Sequence, residues 1–434
     1  MNKTLSYIAL LVIAIFFSTN GEACTTAVIS GKYTKDGRPL LWKNRDTNSL
    51  KNSLGYFEGG KYSYLGLVNS SDTKGKNVWM GMNNAGFAIM NSATYNLSKD
   101  SGSGGEGVAM REALEICESL EDFEKYLDDQ EKPFGWRANF GVIDAYGGAA
   151  YYEVGPDGYV KFDANDPKTA PFGYIIRANY SFTGELAKGS SGYIRYHAVD
   201  EAFYLKQSTV GLGPKDIEQG VTKDLYNSLT KRNLFEIYAD VPENNPRYEV
   251  LKDYIPRTTS SSSTVIQGVM KGENPNLATM WSNVGFPLAS VMVPTWIESA
   301  VELPYVVRYN NTIKNSPVCY AALKLKNERI LNIRWGKFAS RYLDVNALFN
   351  KDNSGIAQII KKQEDEIYSR AEKLQSQWRK NNTSNKKEIK EFYKWVNNLV
   401  IDTYNNEFDI DLNEKNLVAP VSDKENQNSM KGVN

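Results

Sequence analysis

Between residues 25 and 177 the chain is cut into short alternating or β-branched runs, and several of the gaps carry a turn signal. Lys35-Asp36-Gly37 separates Thr25–Ile29 from Pro39–Lys43, which predicts a hairpin. Asn83-Asn84-Ala85-Gly86 stands between Val78–Met82 and Phe87–Met90, and Gly155-Pro156-Asp157-Gly158 between Ala149–Val154 and Tyr159–Phe162. Tyr62–Val68, Phe140–Asp144 and Tyr174–Arg177 read as further strands. Helical spacing interrupts them at Val108–Ser119, Leu120–Asp129 and Ile194–Leu205. Strands in such runs with helices between them predict layered α+β packing around antiparallel sheet, not a doubly wound parallel sheet. No G-x-G-x-x-G or P-loop pattern follows a strand, so no dinucleotide or phosphate-loop cofactor is expected.

The two ends differ from this middle. Lys3 precedes the apolar run Ile8–Phe17, and Ser18–Ala23 is small and polar with Gly21 and Ala23 near its end. That is the layout of a secretory signal peptide cut after Ala23, so export to the periplasm or outside the cell is expected. The run is about half the ~20 residues that a membrane span needs, and no later segment reaches that length. From about Ser340, Ile356, Ile360, Ile367, Ala371, Leu374 and Trp378 fall at three- and four-residue steps with one double step. After Asn381–Asn385 the pattern resumes at Ile389, Phe392, Val396, Leu399 and Val400, which predicts an αα-hairpin. The expected division is a leader at 1–23, a catalytic domain at 24–340, a helical extension at 341–421 and a polar tail at 422–434. The hairpin is expected to pack outside the sheets or to join copies of the chain. The run Ser260–Ser263, with Thr258, Thr259 and Thr264, reads as a loop-to-strand passage.

Lys plus Arg and Asp plus Glu both number 51, which removes the electrostatic reason to expect nucleic acid as a partner. With 27 tyrosines and 8 tryptophans in 434 residues, the chain has the aromatic content of a folded protein. Three cysteines would, in an exported chain, make one disulfide and leave one thiol. Cys117 lies in a helical pattern and Cys319 in the strand-like run Val318–Leu325; both also suit small buried hydrophobes.

The chemistry is constrained by shortage. His197 is the single histidine, and C-x-x-C, H-E-x-x-H and G-x-S-x-G are all absent. Metal sites of the Cys/His type therefore lack ligands, and a serine triad or Cys–His pair would depend on His197 alone. A terminal cysteine supplies what is missing. Its α-amine titrates at about 7.7–8.0 and can serve as general base for its own thiol, whose reference value is about 8.5. Cleavage after Ala23 would expose Cys24 in this form.

Cys24-Thr25-Thr26, Thr34-Lys35-Asp36-Gly37 and Lys43-Asn44-Arg45-Asp46 resemble the opening of the linear-amide C–N hydrolases. These are the bile-salt hydrolase and penicillin V acylase group of N-terminal-nucleophile proteins, with the related penicillin-forming acyltransferases and acid-ceramidase-like enzymes. The opening is also similar to cysteine dipeptidases of the same superfamily. Gly81-Met82-Asn83-Asn84-Ala85-Gly86-Phe87-Ala88, Met90-Asn91-Ser92, Arg177-Ala178-Asn179-Tyr180 and Tyr193-Ile194-Arg195-Tyr196 follow in order, so the resemblance covers roughly residues 24–310. It implies a four-layer αββα sandwich with the Cys24 strand central in one sheet. It also implies a small-molecule amide substrate such as a conjugated bile acid, an acyl amino acid or a penicillin-like amide.

The resemblance assigns Cys24 as nucleophile and Asp46 as the carboxylate orienting its amine and thiol. Asn91 and Asn179 match two asparagines lining the oxyanion site, and Arg195 an arginine holding the network. The R-N-x-D pattern of the family reads here Lys43-Asn44-Arg45-Asp46, so lysine replaces the first cation and loses the arginine fork. Lys43 keeps the three-residue spacing to Asp46, while Arg45 shares its face of the strand. Plainer uses stand beside these roles. Asp46 can cap the turn toward Asn48, Asn91 and Asn179 can serve as turn asparagines, and Arg195 can be a surface ion-pair residue. A transferase or dipeptidase on the same centre, or a surface protein lipidated at Cys24, also fits the sequence.

Overall fold

The computed structural model describes residues 24–97, 104–185, 192–333, 336 and 339–419. The expected leader and polar tail lie outside the described residues. Seven strands follow one another without crossing: β3 (Asn52–Phe57), β4 (Tyr64–Asn69), β5 (Met80–Asn83), β6 (Ala88–Ala93), β7 (Ala138–Ile143), β8 (Ala149–Gly155) and β9 (Gly158–Asp163). Each pairs antiparallel with the next, as short turns require. Alternation sorts their side chains. Ile89, Phe140, Val142, Tyr152 and Val154 turn outward beneath helices α1 (Glu106–Ile116) and α2 (Leu120–Asp128), which bring Met110, Ala113, Leu114, Phe123 and Leu127. The Ser119 hydroxyl caps α2 by accepting from the Asp122 N–H.

The opposite face of this sheet meets a second sheet of six strands. Their order is β10 (Tyr174–Arg177), β1 (Thr25–Ile29), β2 (Leu40–Asp46), β11 (Ser260–Gln267), β12 (Thr279–Val284) and β13 (Met292–Thr295), all antiparallel. The sheets pack tightly at Gly141, where a Cβ would lie 2.9 Å from Val28 Cγ2 and 3.2 Å from Leu41 Cδ1 of the facing sheet. On the outer face of the six-stranded sheet, Trp42 meets Phe203 of α3 (Tyr193–Gln207) at 6.1 Å between ring centroids. Trp281 meets Tyr368 of α5 (Ile356–Asn381), and Trp296 meets Phe392 and Tyr393 of α6 (Lys386–Phe408). Helices, sheet, sheet and helices thus stack as an αββα sandwich, an α+β fold. The C-terminal hairpin of α5 and α6 shares one continuous apolar core with the six-stranded sheet. β1 is an interior strand, one place in from the β10 edge.

Two expectations change. The run Val318–Leu325 is not a strand but most of helix α4 (Pro317–Leu325), opened by Pro317 at its first turn. A short apolar run bounded by turns does not reveal its period, and here Val318, Cys319, Ala321, Ala322 and Leu325 bury a helical face. No disulfide forms: Cys24, Cys117 and Cys319 are all free and buried. The serine run makes the expected passage from loop to strand: Thr258 and Thr259 lie in a turn, and Ser260–Ser263 form the first half of β11, a strand buried throughout. It lacks apolar alternation because its hydroxyls are used internally. Ser260 donates to Asp46, Ser261 to the Arg45 carbonyl and Ser263 to Glu218, while Thr264 donates to Ser282.

Candidate active site

The open end of the β1–β2 pair gathers Cys24, Lys43, Asp46, Asn91, Asn179 and Arg195. Thr25 pairs with Asn44 and Thr26 with Lys43, so one further step along this register sets Cys24 opposite Arg45, with Asp46 one residue beyond on the amine side. Paired residues share a face. Thr26 and Lys43 therefore point toward the seven-stranded sheet, with Val28 and Leu41 below them, while Thr25, Asn44 and Asp46 point toward α3. Cys24 is 5% exposed.

On the inter-sheet face, Lys43 spans the two layers. Its Nζ donates to Asn91 Oδ1 at 2.6 Å and to the Trp79 carbonyl at 2.9 Å. With its oxygen held by a cation, the Asn91 amide presents its NH₂ group, which donates no hydrogen bond to any described residue. Arg45, on the same face, is held elsewhere: it donates to Asn52 Oδ1, and its guanidinium lies 4.6 Å from the Trp79 ring. Tyr151 of β8 donates to Thr26 Oγ1 at 2.5 Å, fixing the strand next to Cys24.

On the other face Arg195 is the hub. From the first turn of α3 its Nη1 donates to the Cys24 carbonyl at 3.0 Å and to the Thr25 hydroxyl, and Nη2 donates to Asn179 Oδ1 at 3.1 Å. The same Nη1 lies 4.0 Å from Asp46 Oδ2. Asn179 directs its amide nitrogen to the Ala93 carbonyl at 3.0 Å, tying the end of β10 to β6. Gly192, just ahead of α3 at φ +91°, leaves room for the guanidinium, since a Cβ there would come 2.4 Å from Arg195 Nη2.

Asp46 is fully buried. Its Oδ1 accepts from Ser260 Oγ at 2.5 Å and from Asn44 Nδ2 at 3.1 Å, while Oδ2 accepts no hydrogen bond. Burial raises its pKa, and Arg257, Arg195 and the Ser260 and Asn44 bonds oppose that rise. Burial likewise lowers the pKa of Arg195, against the pull of Asp46.

The sequence reading missed Ser260, Arg257 and Lys326. Arg257 Nη1 stands 3.7 Å from Asp46 Oδ2. Lys326 donates to the Thr258 carbonyl at 2.5 Å and feels the Asp46 charge; burial lowers its pKa to about 8. All three reach the site through pairings with segments more than 200 residues from Asp46, which local pattern does not encode. His197 sits between the Tyr193 and Tyr196 rings, at 4.4 and 5.2 Å, and takes no part in this network. Among the described residues no group of three or more His, Cys, Asp or Glu side chains could hold a metal ion, and no helix is long and apolar enough to cross a membrane.

Comparison with known proteins gives three kinds of result. No curated protein sequence matches. Among solved structures, conjugated bile acid hydrolase from Clostridium perfringens (Cys→Ala mutant) superposes over 63% of this chain and 92% of its own, at 12% identity and a TM-score of 0.39. The Caenorhabditis elegans ortholog of N-acylethanolamine-hydrolyzing acid amidase covers 56% and 92% at 14% identity and 0.36. Penicillin V acylase from Agrobacterium tumefaciens covers 63% and 86% at 12% identity and 0.36. Residues 33–212 match a family model; the stretch begins after Cys24 and takes in Lys43, Asp46, Asn91, Asn179 and Arg195. Over that stretch the chain is similar to the acyl-coenzyme A:6-aminopenicillanic acid acyl-transferase family.

Proposed function

We propose that this chain is an exported cysteine N-terminal-nucleophile hydrolase that cleaves linear carbon–nitrogen amide bonds through a thioester on Cys24. One observation carries the reading: a single guanidinium, Arg195, contacts the Cys24 carbonyl and Asn179 and faces Asp46 across 4.0 Å. Removal of residues 1–23 frees the Cys24 amine beside the buried carboxylate of Asp46. That amine takes the proton of Sγ as sulfur attacks the amide carbonyl. The oxyanion that develops is met by the Asn91 NH₂, held in register by Lys43, and by the Asn179 amide, held by Arg195. The amine then passes its proton to the leaving nitrogen, the C–N bond breaks and the thioester remains. Water, deprotonated by the same amine, releases the acid and restores the thiol.

Lys43 is the cation of the inter-sheet face in this scheme, because Arg45 is committed to Asn52 and the Trp79 ring. A second reading keeps the same first half. The family match is to an acyl-transferase, which favours an amine acceptor in place of water. Mature protein incubated with a panel of acyl amides tests both. Wild type is expected to cleave and Cys24→Ala not to; partitioning of the thioester between water and added amine separates hydrolase from transferase. Equal cleavage by Cys24→Ala removes the proposed nucleophile.

A further inference from the structure

The reaction scheme places its leaving group on one side of the site. Sγ and the Asn91 donor belong to the inter-sheet face, but the proton must come from the Cys24 amine, which the β1–β2 register carries toward Asp46. A leaving nitrogen that receives this proton lies on the Asp46 side, and whatever substituent it bears extends past Asp46 toward the segment ahead of β11. That segment presents Arg257.

The state of Arg257 is unusual for a residue so close to a buried carboxylate. Its backbone is fixed: the N–H donates to Ser260 Oγ at 2.8 Å, and its carbonyl accepts from the Ser260 N–H at 2.9 Å. Its side chain is not. Nη1 stops 3.7 Å from Asp46 Oδ2, beyond hydrogen-bond reach, and the guanidinium donates no hydrogen bond to any described residue. Five N–H donors are therefore left to solvent or ligand, on a side chain 35% exposed at the rim. Asp46 is shared among Arg257, Arg195 and Lys326, with Asp253 adding a smaller pull on Arg195, so one carboxylate faces three cations. A planar fork with spare positive charge, backed by fixed backbone, suits a carboxylate in bidentate contact.

We propose that Arg257 is a specificity-determining residue that binds a carboxylate on the amine half of the substrate, so that N-acyl amino acids, not neutral N-acyl amides, are the preferred class. This rests on the thioester reading above, in which the amine half leaves toward Asp46.

Binding and turnover are measured separately to test it. Mature Cys24→Ala protein is titrated with acetyl, hexanoyl, decanoyl and phenylacetyl amides, each as the glycine acid and as the glycinamide. At least one acid is expected to bind tenfold or more tightly than its glycinamide, and Arg257→Gln in the same background to bring that ratio to about one. Arg257→Lys, which keeps the charge without the fork, is expected to retain part of the ratio. In the Cys24 protein the acid/amide ratio of kcat/KM should collapse in the same way, through KM. If no acid of the series binds better than its amide, or if Arg257→Gln leaves the ratio unchanged, the inference is overturned. Loss of the thioester reading looks different: cleavage survives Cys24→Ala, whatever the binding ratio shows.

Discussion

The two sheets of the sandwich are built from the same kind of antiparallel ladder, yet they divide the work of the molecule. The seven-stranded sheet is a meander in which each strand pairs with its neighbour in sequence, roofed by α1 and α2 over a core of Phe87, Phe123, Phe140 and Tyr152. The six-stranded sheet joins β1 to β10 and β2 to β11, pairings that span about 150 and over 200 residues. Cys24, Asp46, Ser260, Arg257 and Lys326 all come together around it, and the seven-stranded sheet lends Asn91 and Tyr151 from its inner face. Local pairing makes a stable wall. Distant pairing brings together residues that no single segment could hold.

If this division is right, damage to the two sheets has different signatures. Asp46→Asn, which keeps the Ser260 and Asn44 neighbourhood nearly isosteric, is expected to lower kcat by about 10⁴-fold, the scale seen when the group orienting a catalytic base loses its charge. Steady-state kinetics on the best amide of the panel measures it. Phe123→Ala, in the roof of the meander, removes a ring in contact with Phe87, Phe140 and Tyr152 and should cost about 3–5 kcal/mol of stability in urea unfolding. The kcat of the folded fraction should stay within about twofold by the same division of labour. Lys43→Met keeps the stem and deletes the charge on Asn91 Oδ1; a fall in kcat of about 10–100-fold with little change in KM is expected. A change confined to KM would take Lys43 out of the oxyanion support.

The smallest effect lies behind the six-stranded sheet. Glu218, in the π turn Glu218–Thr222, accepts from Ser263 and Asn283, and burial raises its pKa to about 8 with Glu364 adding to the shift and Lys223 opposing it. A carboxyl raised in the fold contributes stability fully below its unfolded value near 4.3, and that contribution is lost as pH climbs through about 8. Melting temperature should therefore fall between pH 5 and 9 by about 2–4 °C more in wild type than in Glu218→Gln. Parallel pH profiles would place the titration elsewhere.

The same contrast explains what the sequence discloses. Most strands from Thr25 to Phe162 were legible because turn residues sit between several of them, though β3 was not, and α5 and α6 were legible because a wide apolar stripe repeats over six turns or more. Lys43, Asp46, Asn91, Asn179 and Arg195 could be named from ordered motifs, and they converge in space. β11 was legible only as a passage into a strand, because its serines and threonine are buried by hydrogen bonding and not by hydrophobicity, so a period-2 apolar pattern never forms. Arg257 and Lys326 had no local mark at all, since what matters about each is its distance to Asp46. Cys319 shows the remaining ambiguity, a short apolar run whose helical period only its packing reveals.

The central claim is that sulfur and base belong to one residue and act only when its amine is free. Intact-mass spectrometry after brief mixing with a cleavable amide tests it on two forms of the chain, one beginning at Cys24 and one retaining Ala23 and the residues before it. The account predicts an acyl adduct on Cys24 in the first form and none in the second. An adduct forming at the same rate on the form with its Cys24 nitrogen locked in a peptide bond would contradict it.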